Sequence, residues 1–250
     1  MNTIAQVLSR LDDIVAWSRQ SESAAGYFAA LYRLVTAKVA AGIEEGFFED
    51  GPRMERLDVV FANRYLDAFE GFTNRAPITK SWTVAFAQTE RFAPIVLQHL
   101  LGGMNAHINL DLGIAAATIS QGEDLSSLHG DFLKINEVLS SLLQRTKDSL
   151  TSIWPPLRVL DWLSGTAEDT FVNFSMSVAR DGAWQFAQAL SALPEDQHAR
   201  AIAQRDAIIG GRIAELIYKP GPVLSAAALA VRLAERGSVA RKIDALNSGH

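Results

Sequence analysis

The segment from His99 to Leu112, HLLGGMNAHINLDL, threads imidazoles and a carboxylate through an otherwise apolar helical stretch. At roughly 100° per residue, Leu97, Leu100, Leu101, Met104, Ile108 and Leu112 make an apolar arc. His107 and Asp111 stand at the edge of that arc, one helical turn apart. Burying an imidazole and a carboxylate is costly unless they are hydrogen-bonded, paired or bound to a metal. The spacing therefore predicts a polar site inside a helical core. Three chemistries suit it. A divalent ion held by His107 and Asp111 would lower the pKa of a bound water or polarise a substrate. Without a metal, Asp111 would hold His107 as an acid, base or hydrogen-bond partner. As architecture alone, the pair would belong to a satisfied network that fixes helix register.

Further polar residues fall where they can join that site. Asp58 lies in the middle of an apolar arc made by Leu57, Val59, Phe61, Ala62, Tyr65, Leu66, Ala68 and Phe69, so it is expected to be buried. There it acts as a ligand or base facing His107 and Asp111, or caps a helix or pairs with a core arginine. Arg64 falls toward the solvated side of the same helix. His99 is a further candidate metal ligand or base. Asp131 opens a helix whose apolar face carries Phe132, Ile135, Val138, Leu139 and Leu142; it is either a first-turn cap or a metal ligand. Asn105, Asn136 and Arg180 are candidate substrate contacts, with a helix-linking ion pair the plainer role for Arg180. His129 is expected to face solvent.

Helical periodicity positions all of these groups, and no alternating strand pattern interrupts it. Amphipathic helices are expected near residues 4–15, 24–41, 54–71, 81–91, 94–117, 129–152, 157–163, 167–193, 195–218 and 223–236. Pro155, Pro156, Pro220 and Pro222 supply breaks. Gly102-Gly103 and Gly210-Gly211 interrupt helices, which implies close helix contact or local unwinding, with a kink near Gly102. The expected fold is all-α: a single-domain multi-helix bundle over residues 1–250 with a buried polar site and a possible C-terminal helical extension at 220–250.

Bulk properties exclude several function classes. A net charge of −5 with scattered Lys and Arg lacks the footprint of a nucleic-acid binder. The chain has no cysteine, so thiolate zinc sites and cysteine nucleophiles are absent. Gly-rich phosphate loops, a Gly-x-Ser-x-Gly elbow and His-Glu-x-x-His are missing too, so no nucleotide cofactor is expected. The absence of a signal-like or membrane-spanning run leads to the expectation of a cytoplasmic protein without a membrane partner, acting on a small-molecule ligand, with a homodimer as the candidate assembly.

The segment from Glu55 to Leu66, the His99–Leu112 stretch and the Gly130-Asp131-Phe132 run followed by Asn136 together resemble the bacterial domain-of-unknown-function family 5995. The resemblance spans about Tyr27 to Trp184. It implies a helical fold and places Asp58, His99, Asn105, His107, Asp111 and Asp131 in one shared feature, with no activity attached. Gly102 stands where that pattern carries a bulkier apolar residue. The leading expectation is a metal-assisted hydrolase or related enzyme for a small, partly apolar substrate, using Zn, Fe, Mn or Mg. A metal-free His-Asp enzyme or binding pocket and a structural network stand beside it.

Overall fold

Local capping and amphipathic spacing account for how the helices begin. The structure, a computed structural model, describes residues 1–135, 137–139, 142 and 176–247. Thr3 caps α1 (Ile4–Gln20) by accepting the Gln6 backbone N–H. α2 (Ala25–Glu44) follows a short turn. Asp50 caps α3 (Gly51–Thr73) through the Arg53 N–H, with Pro52 pre-set in the first turn. α4 (Lys80–Ala87) has no cap of its own, and Asp206 supplies one from a distant helix by accepting the N–H groups of Lys80 and Ser81 at 2.6 and 2.8 Å. After α5 (Val96–Ala106) the chain passes through a π-turn at His107–Asp111 into α6 (Leu112–Ile119). A 3-10 turn at Leu125–Leu128 leads into helical residues 129–135. The C-terminal part contains α7 (Met176–Ser191), α8 (Glu195–Arg212), a second π-turn at Ile213–Ile217, α9 (Pro222–Ala234) and α10 (Val239–Asn247).

The fold is all-α, with no strand among the described residues. Two large apolar clusters, beside a small one at Ile95 and Val231, make up the interior of the described residues, and α5, the π-turn and α6 together run through both large ones. The first gathers Val7, Leu11, Phe28, Tyr65, Trp82, Phe86, Leu100 and Ala106, together with Ile243 and Leu246 from α10. The second gathers Met54, Leu57, Ile108, Leu110, Leu112, Phe132, Ala183 and Leu190. Val35, Phe61 and Met104 pack against both clusters. The π-turn therefore falls where the two cores meet. Its backbone bonds run to the fifth residue back, so one residue is added to the turn. Arg205 on α8 donates to the Asn109 carbonyl at 3.1 Å and to Gly182 O at 3.2 Å, which ties α8 and α7 to this irregular segment.

Several sequence expectations shift in detail. The 81–91 helix closes early, at Ala87, and the irregularity expected near Gly102 lies five residues later, at the π-turn. Gly102 and Gly103 stay helical and serve close contact. A Cβ at Gly103 would stand 2.5 Å from the Phe28 ring, and one at Gly102 would stand 2.1 Å from Tyr218 Oη. The missing side chain at Gly102 makes room for a tyrosine. The helices expected at 157–163 and through most of 129–152 and 167–175, with Asn136, lie outside the described residues.

Candidate functional site

His107 and Asp111 open and close the π-turn, and both are buried, at 2 % and 1 % exposure. Every oxygen of the Asp111 carboxylate is engaged. Oδ1 accepts from Arg64 Nε at 2.8 Å; Oδ2 accepts from Trp82 Nε1 at 2.8 Å and lies 3.1 Å from His107 Nδ1. A carboxylate already taking two N–H bonds has only acceptor capacity to offer the imidazole, so the hydrogen of that contact sits on Nδ1. Asp111 thereby joins the π-turn to α3 through Arg64 and to α4 through Trp82. Arg64 had been expected to face away. It starts from the border of the α3 apolar arc, and its long stem carries the guanidinium inward while leaving it 27 % exposed.

The imidazole is enclosed by aromatic rings. Phe61 stacks on it with centroids 3.6 Å apart and planes 9° apart; Tyr32 meets it edge-on at 4.5 Å, and Phe28, Tyr65 and Trp82 complete the shell at 5.8–6.0 Å. Of these five rings, only Phe61 is half-buried rather than buried. Burial pushes the His107 pKa below its ordinary value, and the Arg64 charge adds to that, against the opposing pull of Asp111. The ring is therefore neutral at pH 7. Its Nε2 is buried and has no hydrogen-bond partner among the described residues.

Other orphaned polar atoms surround Tyr32. The Tyr32 and Thr36 hydroxyls lie one turn apart on α2, at the margin of hydrogen-bond reach of each other, which eases the Tyr32 titration; neither has another partner among the described residues. Burial raises the Tyr32 pKa, and the charges of Asp58 and Asp111 push it further up. The Tyr65 hydroxyl is also buried and has no partner among the described residues, with its ring 5.7 Å from that of Tyr32. Asp58 is buried as its place in the apolar arc requires, and its Oδ2 has no partner among the described residues. Burial, aided by Glu55 one turn earlier, pushes its pKa up to about 7.

Elsewhere, the structure gives the remaining sequence candidates separate environments. His99 precedes His107 by eight residues, about 12 Å along a helix axis. It is buried beside Tyr27, with ring centroids 5.7 Å apart, and its Nδ1 is unpartnered. Burial, then the charges of Arg232 and Lys242, push its pKa down to about 3. Those two cations share Glu235, at 3.1 and 2.6 Å. Asp131 accepts from the backbone N–H groups of Glu49 and Asp50, both at 2.8 Å, and pairs with Lys134 at 3.2 Å. That is the start of α3, about 20 Å along its axis from Arg64. Burial raises the Asp131 pKa, but these donors more than cancel it and the net shift is downward. Asn105 accepts from Asn109 Nδ2 at 3.0 Å. Buried Arg180 donates to the Phe132 carbonyl and lies 4.4 Å over the Phe132 ring. His129 is exposed, 4.6 Å from Trp184. Among the described residues, no three His, Asp or Glu side chains gather into a group that could hold a metal ion.

The partners that sequence reasoning missed are Arg64, Tyr32, Thr36, Tyr65 and Trp82. Arg64 carried a usable signal, its position at the border of the apolar arc. The aromatic hydroxyls carried none, because buried tyrosines at helical spacing read as core. Compared with known proteins, the chain matches the model of a family of unknown function, DUF5995, over residues 4–220, and it belongs to that family. No curated protein and no solved structure matches it. Among the described residues, no helix is long and apolar enough to cross a membrane.

Proposed function

We propose, from a family membership that assigns no activity, that His107 is the working group of a small-molecule site, held by Asp111 and acting through Nε2 as hydrogen-bond acceptor or general base. One observation carries this reading: Nδ1 is spent on Asp111 while Nε2 is neutral, buried and unpartnered. Asp111 plays the orienting part. Its contact with Nδ1 fixes the tautomer and ring direction, and Trp82 and Arg64 fix the carboxylate in turn. When Nε2 takes up a proton, the carboxylate 3.1 Å from Nδ1 stabilises the imidazolium, while burial and Arg64 oppose it. The group is thus a weak base that stays available at neutral pH.

A metal-assisted hydrolase is less well supported by these residues. Arg64 and Trp82 hold the Asp111 oxygens that a metal would need, and His99 and Asp131 are committed to other surroundings. The test is a saturation-transfer NMR screen of small uncharged organic molecules against wild type and His107→Asn, with far-UV circular dichroism confirming the fold. Binding that disappears in the variant supports the reading. Binding that survives unchanged, or no binder across the screen, contradicts it.

A further inference from the structure

Tyr32 is the hub of the orphaned polar atoms. Its ring is 4.5 Å from His107 and 5.7 Å from Tyr65, Thr36 lies one turn along the same helix, and Asp58 is near enough to act on its hydroxyl. Buried polar side-chain atoms nearly always find partners, so a group of them around one ring marks a place for something the protein does not itself supply. Their chemistry restricts what fits. His107 Nε2 accepts only, whereas the Tyr32, Thr36 and Tyr65 hydroxyls both donate and accept. A guest hydroxyl can therefore give its hydrogen to Nε2 and receive one from Tyr32. Charge is unwelcome, because Asp111 is already matched by Arg64 and the walls are aromatic. Phe61 supplies the approach. It covers the flat face of the imidazole and reaches the surface, so displacing its ring exposes a surface on which another flat ring can stack.

We infer that the His107 site receives a flat, uncharged molecule bearing a ring hydroxyl, with that oxygen seated between His107 Nε2 and the Tyr32 hydroxyl. This inference rests on the reading of His107 as an acceptor. Phenol is the probe, with benzene as the control lacking the hydroxyl and benzoate as the charged control. NMR titration of wild type is expected to show saturable phenol binding at least tenfold tighter than that of either control. Tyr32→Phe removes one hydroxyl and keeps the ring, and is expected to weaken phenol at least tenfold with near-UV circular dichroism unchanged. If that variant fails to fold, Thr36→Val replaces it, with at least a threefold loss expected. Unchanged affinity in the folded variant, equal binding of benzene or benzoate, or no saturable phenol binding overturns the inference; in the last case water meets the orphaned atoms. Loss in His107→Asn with retention in Tyr32→Phe removes this inference and leaves His107 as the acceptor. Retention in both removes the two together.

Discussion

Asp111→Asn is the most informative single change, because the isosteric amide puts an N–H₂ where one carboxylate oxygen stood. In wild type the two oxygens take three donors: Arg64 Nε, Trp82 Nε1 and His107 Nδ1. If the amide oxygen faces Trp82 and His107, the amide nitrogen meets the Arg64 guanidinium; if it is turned, the nitrogen meets both ring N–H groups. Either orientation sets donor against donor. Each buried donor left unpaired costs about 1–3 kcal/mol, and breaking a buried ion pair costs about 3–5 kcal/mol. Arg64 is 27 % exposed and recovers part of its loss from water, so the total falls at about 3–5 kcal/mol. For a chain of this size that is a fall in melting temperature of about 6–20 °C. Urea unfolding followed at 222 nm measures it at pH 7. A variant within about 1 kcal/mol of wild type, below the cost of even one unpaired buried donor, would refute the view that Asp111 binds the π-turn to α3 and α4.

Three more perturbations follow from the same geometry. Gly102→Ala drives a methyl to 2.1 Å from Tyr218 Oη and 3.0 Å from Cζ, so a loss of about 1–3 kcal/mol is expected; Tyr218→Phe in the same chain restores at least half, and no recovery in thermal melts would discount that contact. His99, pushed down to about 3, stays unprotonated in the folded chain while unfolded imidazoles bind protons below about 6.5, so its contribution to stability is lost as pH falls from about 6.5 to about 3, and His107, also lowered, acts in the same direction. Asp58 opposes them. Raised to about 7, it keeps its proton when folded, a contribution present below about 4 and lost as pH rises to about 7. Asp58→Asn should therefore steepen the rise of stability between pH 4 and 6.5 by up to about 1.4 kcal/mol per pH unit, and an unchanged slope of urea midpoints would contradict the burial of that carboxyl. Elemental analysis of protein purified without added metal is expected to find less than stoichiometric zinc, iron or manganese, with melting unaffected by a chelator; one tightly held ion per chain would return the metal reading to first place.

The helical class was legible because apolar residues recur at helical spacing through nearly the whole chain, and His107 and Asp111 stood out because ionisable groups on an apolar edge need partners. Who those partners would be was not legible. Arg64 and Trp82 come from helices 47 and 29 residues away, and one sequence gives no information on which helix faces which. The π-turn was invisible for a related reason: its added residue changes the phase of the helix without changing the residue types that periodicity reads. Gly102 was readable as a close contact, but not that Tyr218 was the group it admits. His99 and Asp131 joined the site in sequence because their residue types suit metals. In the fold, His99 sits under the Glu235 ion cluster, while Asp131 serves the start of α3.

The central claim is that His107 carries its single ring proton on Nδ1 and presents a bare Nε2. Long-range ¹H–¹⁵N NMR on protein labelled at histidine nitrogen, with His107→Asn to assign the signals, reads both atoms directly. The account predicts a protonated Nδ1 and an unprotonated Nε2 at pH 7 and above, with Asp111→Asn shifting the Nδ1 signal. A proton on Nε2, or a fully charged imidazolium at pH 7, would contradict it, because the atom assigned to accept would already be occupied.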